Sequence, residues 1–266
     1  MFHIISYVAG VALACFVIFE VKRLYRDYPK FKQAVARGEP DARTRLYVRI
    51  LRFEWISAPL AIVALGFDKT KLTAATLQLE DTSFGYWLEQ ARGAGNRAIV
   101  GGALIGLLLG MVLLTVVRLR ARRHAPAVVE TVAVVEEKPW WRRLVPDIAT
   151  LIPTSGRERL LFSAVAISAG ICEEIVFRGW LLSVLHGPLG FTGTTLVFVA
   201  AALFGLCHIY QGPTGVVGAT AAGVLLTAFY VATGTLLVPI VLHALIDIRM
   251  AVLPSSAPPV VRAQPA

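Results

Sequence analysis

The sequence predicts an all-α membrane protein: a polytopic transmembrane helix bundle of about seven spans, with a four-helix catalytic core in its carboxy-terminal half. Three observations carry that prediction. Hydrophobic residues make up 56% of the 266-residue chain and charged residues only 16%, and the mean hydropathy is +0.68. Such a balance belongs to integral membrane proteins rather than soluble globules. The basic residues also cluster between apolar segments, and the few charges inside those segments fall in patterned pairs.

A spanning helix needs about 20 predominantly apolar residues. Seven segments qualify as candidates, near Phe2–Phe19, Phe53–Phe67, Ala98–Val117, Leu160–Leu185, Thr194–Cys207, Val216–Ala232 and Leu236–Leu253. The second is short and carries Pro59. The first has no positive region before it and no small-residue cleavage site after it, so it reads as a retained anchor.

The net charge of +9 is explained by topology and gives no signal for nucleic acid. Ten Lys/Arg lie between Lys22 and Arg52, and nine between Arg118 and Arg159. Between them, Lys69, Lys71, Arg92 and Arg97 are matched by four acids. The positive-inside rule puts both basic stretches in the cytoplasm and the amino terminus outside. Seven spans then leave the tail, with Arg262, in the cytoplasm. Cys15, Cys172 and Cys207 all fall in apolar segments, which implies buried hydrophobes and no disulfide framework.

Four regions follow. Residues 1–119 hold three spans of unknown role, with Arg52 and Glu54 at a helix end and no evident chemistry. Residues 120–155 form a basic linker in which Trp140, Trp141, Arg142 and Arg143 suit an interfacial segment. Residues 156–253 carry the reaction core, and 254–266 a Pro-, Ser- and Ala-rich disordered tail. In the sixth segment Gly215, Ala219 and Gly223 recur every four residues, as do Gly218 and Ala222. Such small-residue faces let membrane helices approach closely.

The chemistry concentrates in three of the last four spans. Between Ser163 and Leu185 the only charged residues are Glu173, Glu174 and Arg178. An ionisable group at bilayer depth costs roughly 2.5–3.5 kcal/mol on insertion scales, so it marks function by default. Glu174 and Arg178, four apart on one helix face, suit an ion pair. Glu173, rotated by about 100°, is left as the unpaired carboxylate. Phe204 and His208 share a face of the fifth span, and His243 and Asp247 share a face of the seventh. Three helices therefore converge Glu173, His208, His243 and Asp247 on one polar pocket.

A carboxylate beside imidazoles in a pocket with limited water is a general-base arrangement. The same four side chains are acceptable zinc ligands, although they lack the HExxH spacing of known zinc proteases. No cofactor is expected, with zinc held by Glu173, His208, His243 and Asp247 as the alternative. Two non-enzymatic alternatives also use buried acids and histidines: a proton-coupled transporter, and a purely structural polar cluster. The carboxy-terminal bundle shows no inverted repeat and has few spans, which weighs against transport.

Glu173-Glu174-Ile-Val-Phe-Arg178, Phe204-Gly-Leu-Cys-His208 and His243-Ala-Leu-Ile-Asp247 resemble, in order, the EExxxR, FxxxH and HxxxN/D motifs of the CPBP intramembrane proteases. That family comprises the CAAX prenyl proteases and bacteriocin-processing or immunity proteins. The resemblance covers roughly residues 150–253. It implies a helical bundle with a hydrophilic cavity in which a peptide bond is hydrolysed. It further implies that Glu173 activates water, that His208 helps to hold it, and that His243 and Asp247 stabilise the oxyanion. Glu174, Arg178 and Phe204 would support the site. Members were first described as metalloproteases, whereas the structural view of the family is a metal-independent glutamate protease.

One departure stands out. CAAX-type members usually carry Asn where this chain has Asp247. An ionised Asp would repel an oxyanion, so Asp247 must be protonated or must orient His243 instead. Bacterial branches accept Asp there, which points away from prenyl-CAAX processing. The Ala- and Arg-rich composition also suits a bacterial cytoplasmic membrane. A non-catalytic immunity or scaffold protein is the alternative within the family. The expected partners are the lipid bilayer and a membrane-anchored protein or peptide substrate. The substrate itself and the oligomeric state are not legible.

Overall fold

The computed structural model describes residues 2–66, short helical pieces between 101 and 120, and residues 148–252. The third apolar segment, the linker with its Trp-Arg cluster and the tail lie largely or wholly outside the described residues. Two long helices, α1 (Phe2–Ala36) and α2 (Ala42–Ala64), form a hairpin. A 3₁₀ turn at Ile148–Leu151 leads into α3 (Gly156–Glu174), a π-helical segment (Ile175–Leu181) and the short α4 (Leu182–His186). Helices α5 (Gly193–Cys207), α6 (Pro213–Thr233) and α7 (Leu237–Val252) follow. Among the described residues there is no strand, as the composition predicts.

Three described helical stretches are long and apolar enough to cross a membrane: Ile4–Ala36, Gly156–His186 and Pro213–Thr233. At 15 and 16 residues, α5 and α7 are shorter than the roughly 20 a full perpendicular span requires. Large apolar side chains such as Ile4, Val8, Val11 and Phe19 face outward from α1, as they do on a helix bathed in lipid. Cys15 faces outward as well, so the expectation that all three cysteines are buried fails there.

The basic stretch from Lys22 to Arg52, which lies between two predicted spans, is helical apart from the turn at 37–41. Helix α1 runs on to Ala36, and α2 starts at Ala42, eleven residues before the predicted span. The reason is electrostatic. Glu20 and Asp27 pair with Arg23 along α1 and with Arg49 across the hairpin, at 3.2–4.0 Å, so charge stabilises the helical extensions beyond the apolar stretch.

The hairpin is bolted to the carboxy-terminal helices by hydrogen bonds. The Tyr47 hydroxyl donates to the Leu151 carbonyl at 2.6 Å, Arg43 Nε to Thr150 O at 3.0 Å, and Trp55 Nε1 to Ser168 Oγ at 2.9 Å. Helix α3 starts where Ser155 and Glu158 form a capping box, satisfying backbone donors that the first turn would otherwise leave orphaned. It packs along α7, while α5 packs along α6.

Close helix approach is seen at Gly170 and Gly223, among other glycines. A Cβ at Gly170 would sit 2.8 Å from the Ile240 carbonyl oxygen of α7. A Cβ at Gly223 would come within 3.1 Å of the Ala201 Cα of α5. The predicted small-residue face of α6 is thus used at Gly223, and Gly170 carries the equivalent contact on α3.

Candidate active site

The site forms where α3 gives way to the π segment. An i→i+5 turn inserts an extra residue per turn, and such bulges recur at functional sites. Glu174 is the last residue of α3 and Arg178 lies inside the π segment, yet the predicted ion pair closes at 2.8 Å from Arg178 Nη1 to Glu174 Oε1. Both side chains are buried. Arg178 also donates through Nη2 to the Gly223 carbonyl at 3.2 Å, and its guanidinium lies 4.7 Å from the centre of the Phe204 ring. A charge taken out of water needs such partners.

Glu174 has a second task that the spacing of the motifs did not reveal. Its Oε1 accepts from His243 Nδ1 at 2.8 Å, across 69 residues of sequence. That bond fixes the ring and leaves Nε2 facing Glu173 Oε2 at 3.9 Å and Asp247 Oδ2 at 3.6 Å. Both distances exceed a direct hydrogen bond. His243 is therefore oriented by Glu174 rather than by Asp247, its neighbour on α7. The Phe204 ring stands edge-on to His243, with centroids 5.8 Å apart.

His208 falls just past the end of α5, as its C-cap, not inside the helix. Its backbone N–H turns to the Gly205 carbonyl, and the carbonyl of Phe204 accepts instead from His208 Nδ1 at 3.0 Å. The imidazole thus replaces a lost helical donor, and Nε2 is left for other work. His208 and Glu173 line one cavity of about 70 Å³. The buried Oε2 of Glu173 has no hydrogen-bonding partner among the described residues.

The four predicted reaction residues therefore sit together: Glu173 on α3, His208 after α5, and His243 with Asp247 on α7. Among the described residues no three His, Cys, Asp or Glu side chains are grouped as metal ligands would be. His243 donates through Nδ1 to Glu174, which leaves Nε2 as its available ring nitrogen.

The hairpin contributes to this site, contrary to the expectation that residues 1–119 carry no chemistry. Val17, Leu24, Arg49 and Phe53 of α1 and α2 form the opposite wall of the cavity that holds Glu173 and His208. Glu54 is an interior residue of α2, not a helix end, and is 1% exposed. The signal was in the sequence, a lone acid flanked by Phe53 and Trp55. A boundary read eleven residues late placed it at the membrane edge, where an acid is unremarkable.

Residues 156–249 match the family described as type II CAAX prenyl endopeptidase, Rce1-like. This agrees with the resemblance carried by the three motifs, all of which lie inside the matched segment. No curated protein and no solved structure matches the chain.

Proposed function

We propose that this integral membrane protein, whose residues 156–249 match the Rce1-like endopeptidases, hydrolyses a peptide bond of a membrane-associated protein or peptide. The observation that carries the reading is the division between two adjacent carboxylates. Glu174 is locked through Oε1 to Arg178 and His243, while Glu173, whose Oε2 has no hydrogen-bonding partner among the described residues, lines the cavity beside His208. Adjacent acids of the same type thus hold opposite roles, set by their neighbours.

In the reaction Glu173 takes a proton from water, and the hydroxide attacks the peptide carbonyl carbon. His208, with Nδ1 committed to the Phe204 carbonyl, presents Nε2 to hold that water. Negative charge then develops on the carbonyl oxygen. His243, whose Nδ1–H is held by Glu174, offers Nε2–H to it as the imidazolium. The 3.9 Å between Glu173 Oε2 and His243 Nε2 suits an oxygen bridging the two. When the tetrahedral species collapses, the C–N bond breaks and Glu173 returns its proton to the leaving amine. Asp247, with Oδ2 3.6 Å from His243 Nε2, lies on the oxyanion side of this arrangement.

The apolar wall contributed by α1 and α2 suits a peptide entering from the bilayer. The charge pattern favours an amino terminus outside, and the Ala- and Arg-rich composition suits a bacterial cytoplasmic membrane. Cysteines introduced near Glu80 should then label from outside intact cells, whereas labelling between 121 and 140 under those conditions would reverse the orientation.

The decisive experiment compares membrane-protein termini in cells carrying the wild-type chain and Glu173→Ala. New termini should disappear in the variant while the protein still accumulates in the membrane. Purified protein should also cleave in strong chelators. Activity that is lost on chelation and restored by one equivalent of zinc would assign a metalloprotease instead.

A further inference from the structure

The cavity that holds Glu173 and His208 is narrow, at about 70 Å³, whereas pockets that enclose a whole ligand run to about 300–1,000 Å³. A peptide that reaches Glu173 must therefore continue outside it. A wider groove of about 330 Å³ opens along α1 and α2, and cavity and groove share Leu24 and Arg49 as lining residues. Arg49 stands at that junction. Its Nη2 lies 3.4 Å from Oε2 of Glu20, which lines the cavity, and its Nη1 lies 3.3 Å from Oδ2 of Asp27, which lines the groove. Beside it, Tyr28 of the groove meets Tyr210 of the cavity edge to face, with ring centroids 5.3 Å apart. The groove is also charged. Lys30, Arg37, Arg45 and Arg49 line it together with two acids, Asp27 and Glu39. Glu39 serves two guanidinium groups at once, Arg37 at 2.6 Å and Arg45 at 3.3 Å. Positive charge is left over, and the Lys30, Arg37 and Arg45 side chains that carry it are exposed.

We propose that this groove is a substrate subsite: the peptide passes from Glu173 by way of Arg49 into the groove, which selects an acidic segment beside the scissile bond. The α2 wall from Arg49 back to Ala42 is about 10 Å of helix, the reach of about three extended residues. Aspartate or glutamate in that segment meets guanidinium and ammonium groups whose charge is not fully neutralised, whereas lysine or arginine is repelled. The inference rests on peptide hydrolysis at Glu173 and adds a selectivity that the reaction residues do not supply. The hairpin lies outside residues 156–249, the part that matches the family, so this subsite belongs to the chain's own amino-terminal helices.

The probe is a synthetic peptide spanning a bond found to be cut in the comparison of termini, made with Asp, Ser or Lys filling the polar segment beside that bond. With the full chain in detergent at low salt, kcat/KM should be at least about fivefold higher for the Asp peptide than for the Lys peptide, with the difference carried by KM. The ratio should shrink as salt is added. Lys30→Glu should move the ratio part of the way toward Lys, and Lys30→Glu combined with Arg45→Glu should reverse it. Each preference is a ratio within one protein, so a partial loss of folded enzyme cancels. Equal rates for the Asp and Lys peptides in the wild type would overturn the inference while leaving the role of Glu173 intact. An Asp preference that survives both substitutions unchanged would overturn it too, by placing the selectivity elsewhere. If the wild-type protein cleaves none of the three peptides, the protease reading fails first and this one with it.

Discussion

On α1 and α2, Glu20, Arg23, Asp27 and Arg49 meet as ion pairs that remain partly exposed. In the helices from α3 onward, Glu174, Arg178 and His243 form a chain of contacts at 2.8 Å that is sealed from the surroundings. The residue types are alike in the two regions, but the consequences differ. An exposed pair gives up little solvation and gains little. A buried one holds together only while every member is present, because each would otherwise be an uncompensated charge. The hairpin can therefore tolerate loss of a charge, and the core cannot.

The largest effect expected is on reaction rather than on folding. Glu173→Ala removes a carboxylate whose Oε2 has no described partner, so the protein should accumulate and unfold as the wild type does. Turnover should fall by a factor of about 10² to 10⁴, the usual worth of a positioned general base, as read by cleavage of a membrane peptide. A drop in melting temperature matching the drop in activity would move Glu173 into the structural class.

Glu174→Ala and Arg178→Ala test the other side of the contrast. Each strands a buried partner and should cost about 3–5 kcal/mol, measured as loss of folded protein in thermal or denaturant unfolding. Glu174→Ala should also release His243 Nδ1 and so abolish activity even in protein rescued at low temperature. Normal stability in both variants would mean that the chain of contacts does not hold the core.

Packing gives a third test. At Gly170→Leu, the first added carbon meets a backbone oxygen of α7 that cannot rotate away. Separation of α3 from α7 should cost at least about 1–3 kcal/mol and should carry Glu173 away from Asp247 and His243. Gly218 has open space beside it, so Gly218→Ala should leave unfolding unchanged although it lies on the same helix as the packed Gly223.

How far each region was legible follows from the same physics. The Glu174–Arg178 pair was readable because both ends lie within one helical turn, and local spacing is what a sequence displays. Convergence of the three motifs was readable because ionisable residues in an apolar background have few places to go. The bond from Glu174 to His243 was not readable, since it depends on which of two adjacent acids faces α7. The π segment also escaped, as its residues fit an α-helical pattern equally well. The hairpin misled because hydropathy marks where lipid begins and says nothing of where a helix continues in ion-paired form. That is why Glu54 was placed at a helix end.

Asp247→Asn is expected to have a small effect, with the sign carrying the information. Asp247 is the most exposed of the site acids, with 39% of its side chain accessible, and it makes no direct hydrogen bond to His243. If it serves the oxyanion as a neutral donor, Asn supplies the same donor without a proton to lose, and turnover should be equal or modestly higher. A loss of tenfold or more would mean that the carboxylate itself is needed.

The smallest effect tests the hairpin directly. Arg49 joins α2 to α1 through Glu20 at 3.4 Å and Asp27 at 3.3 Å, and about a quarter of its side chain is accessible. Arg49→Gln should cost about 1 kcal/mol or less, and the loss should shrink as salt is added because the pairs are screened. Arg23, more exposed and paired among the described residues along its own helix, should cost less still as Arg23→Gln. Unfolding of both variants at low and high salt, beside Arg178→Ala, gives the comparison its scale. If Arg49→Gln proves as damaging as Arg178→Ala, and indifferent to salt, then the hairpin charges are structural in the same sense as the core ones. The division between a tolerant amino-terminal pair and an intolerant core would then fail, because the cavity wall formed by Arg49 would depend on its charge as strictly as the site depends on Glu174.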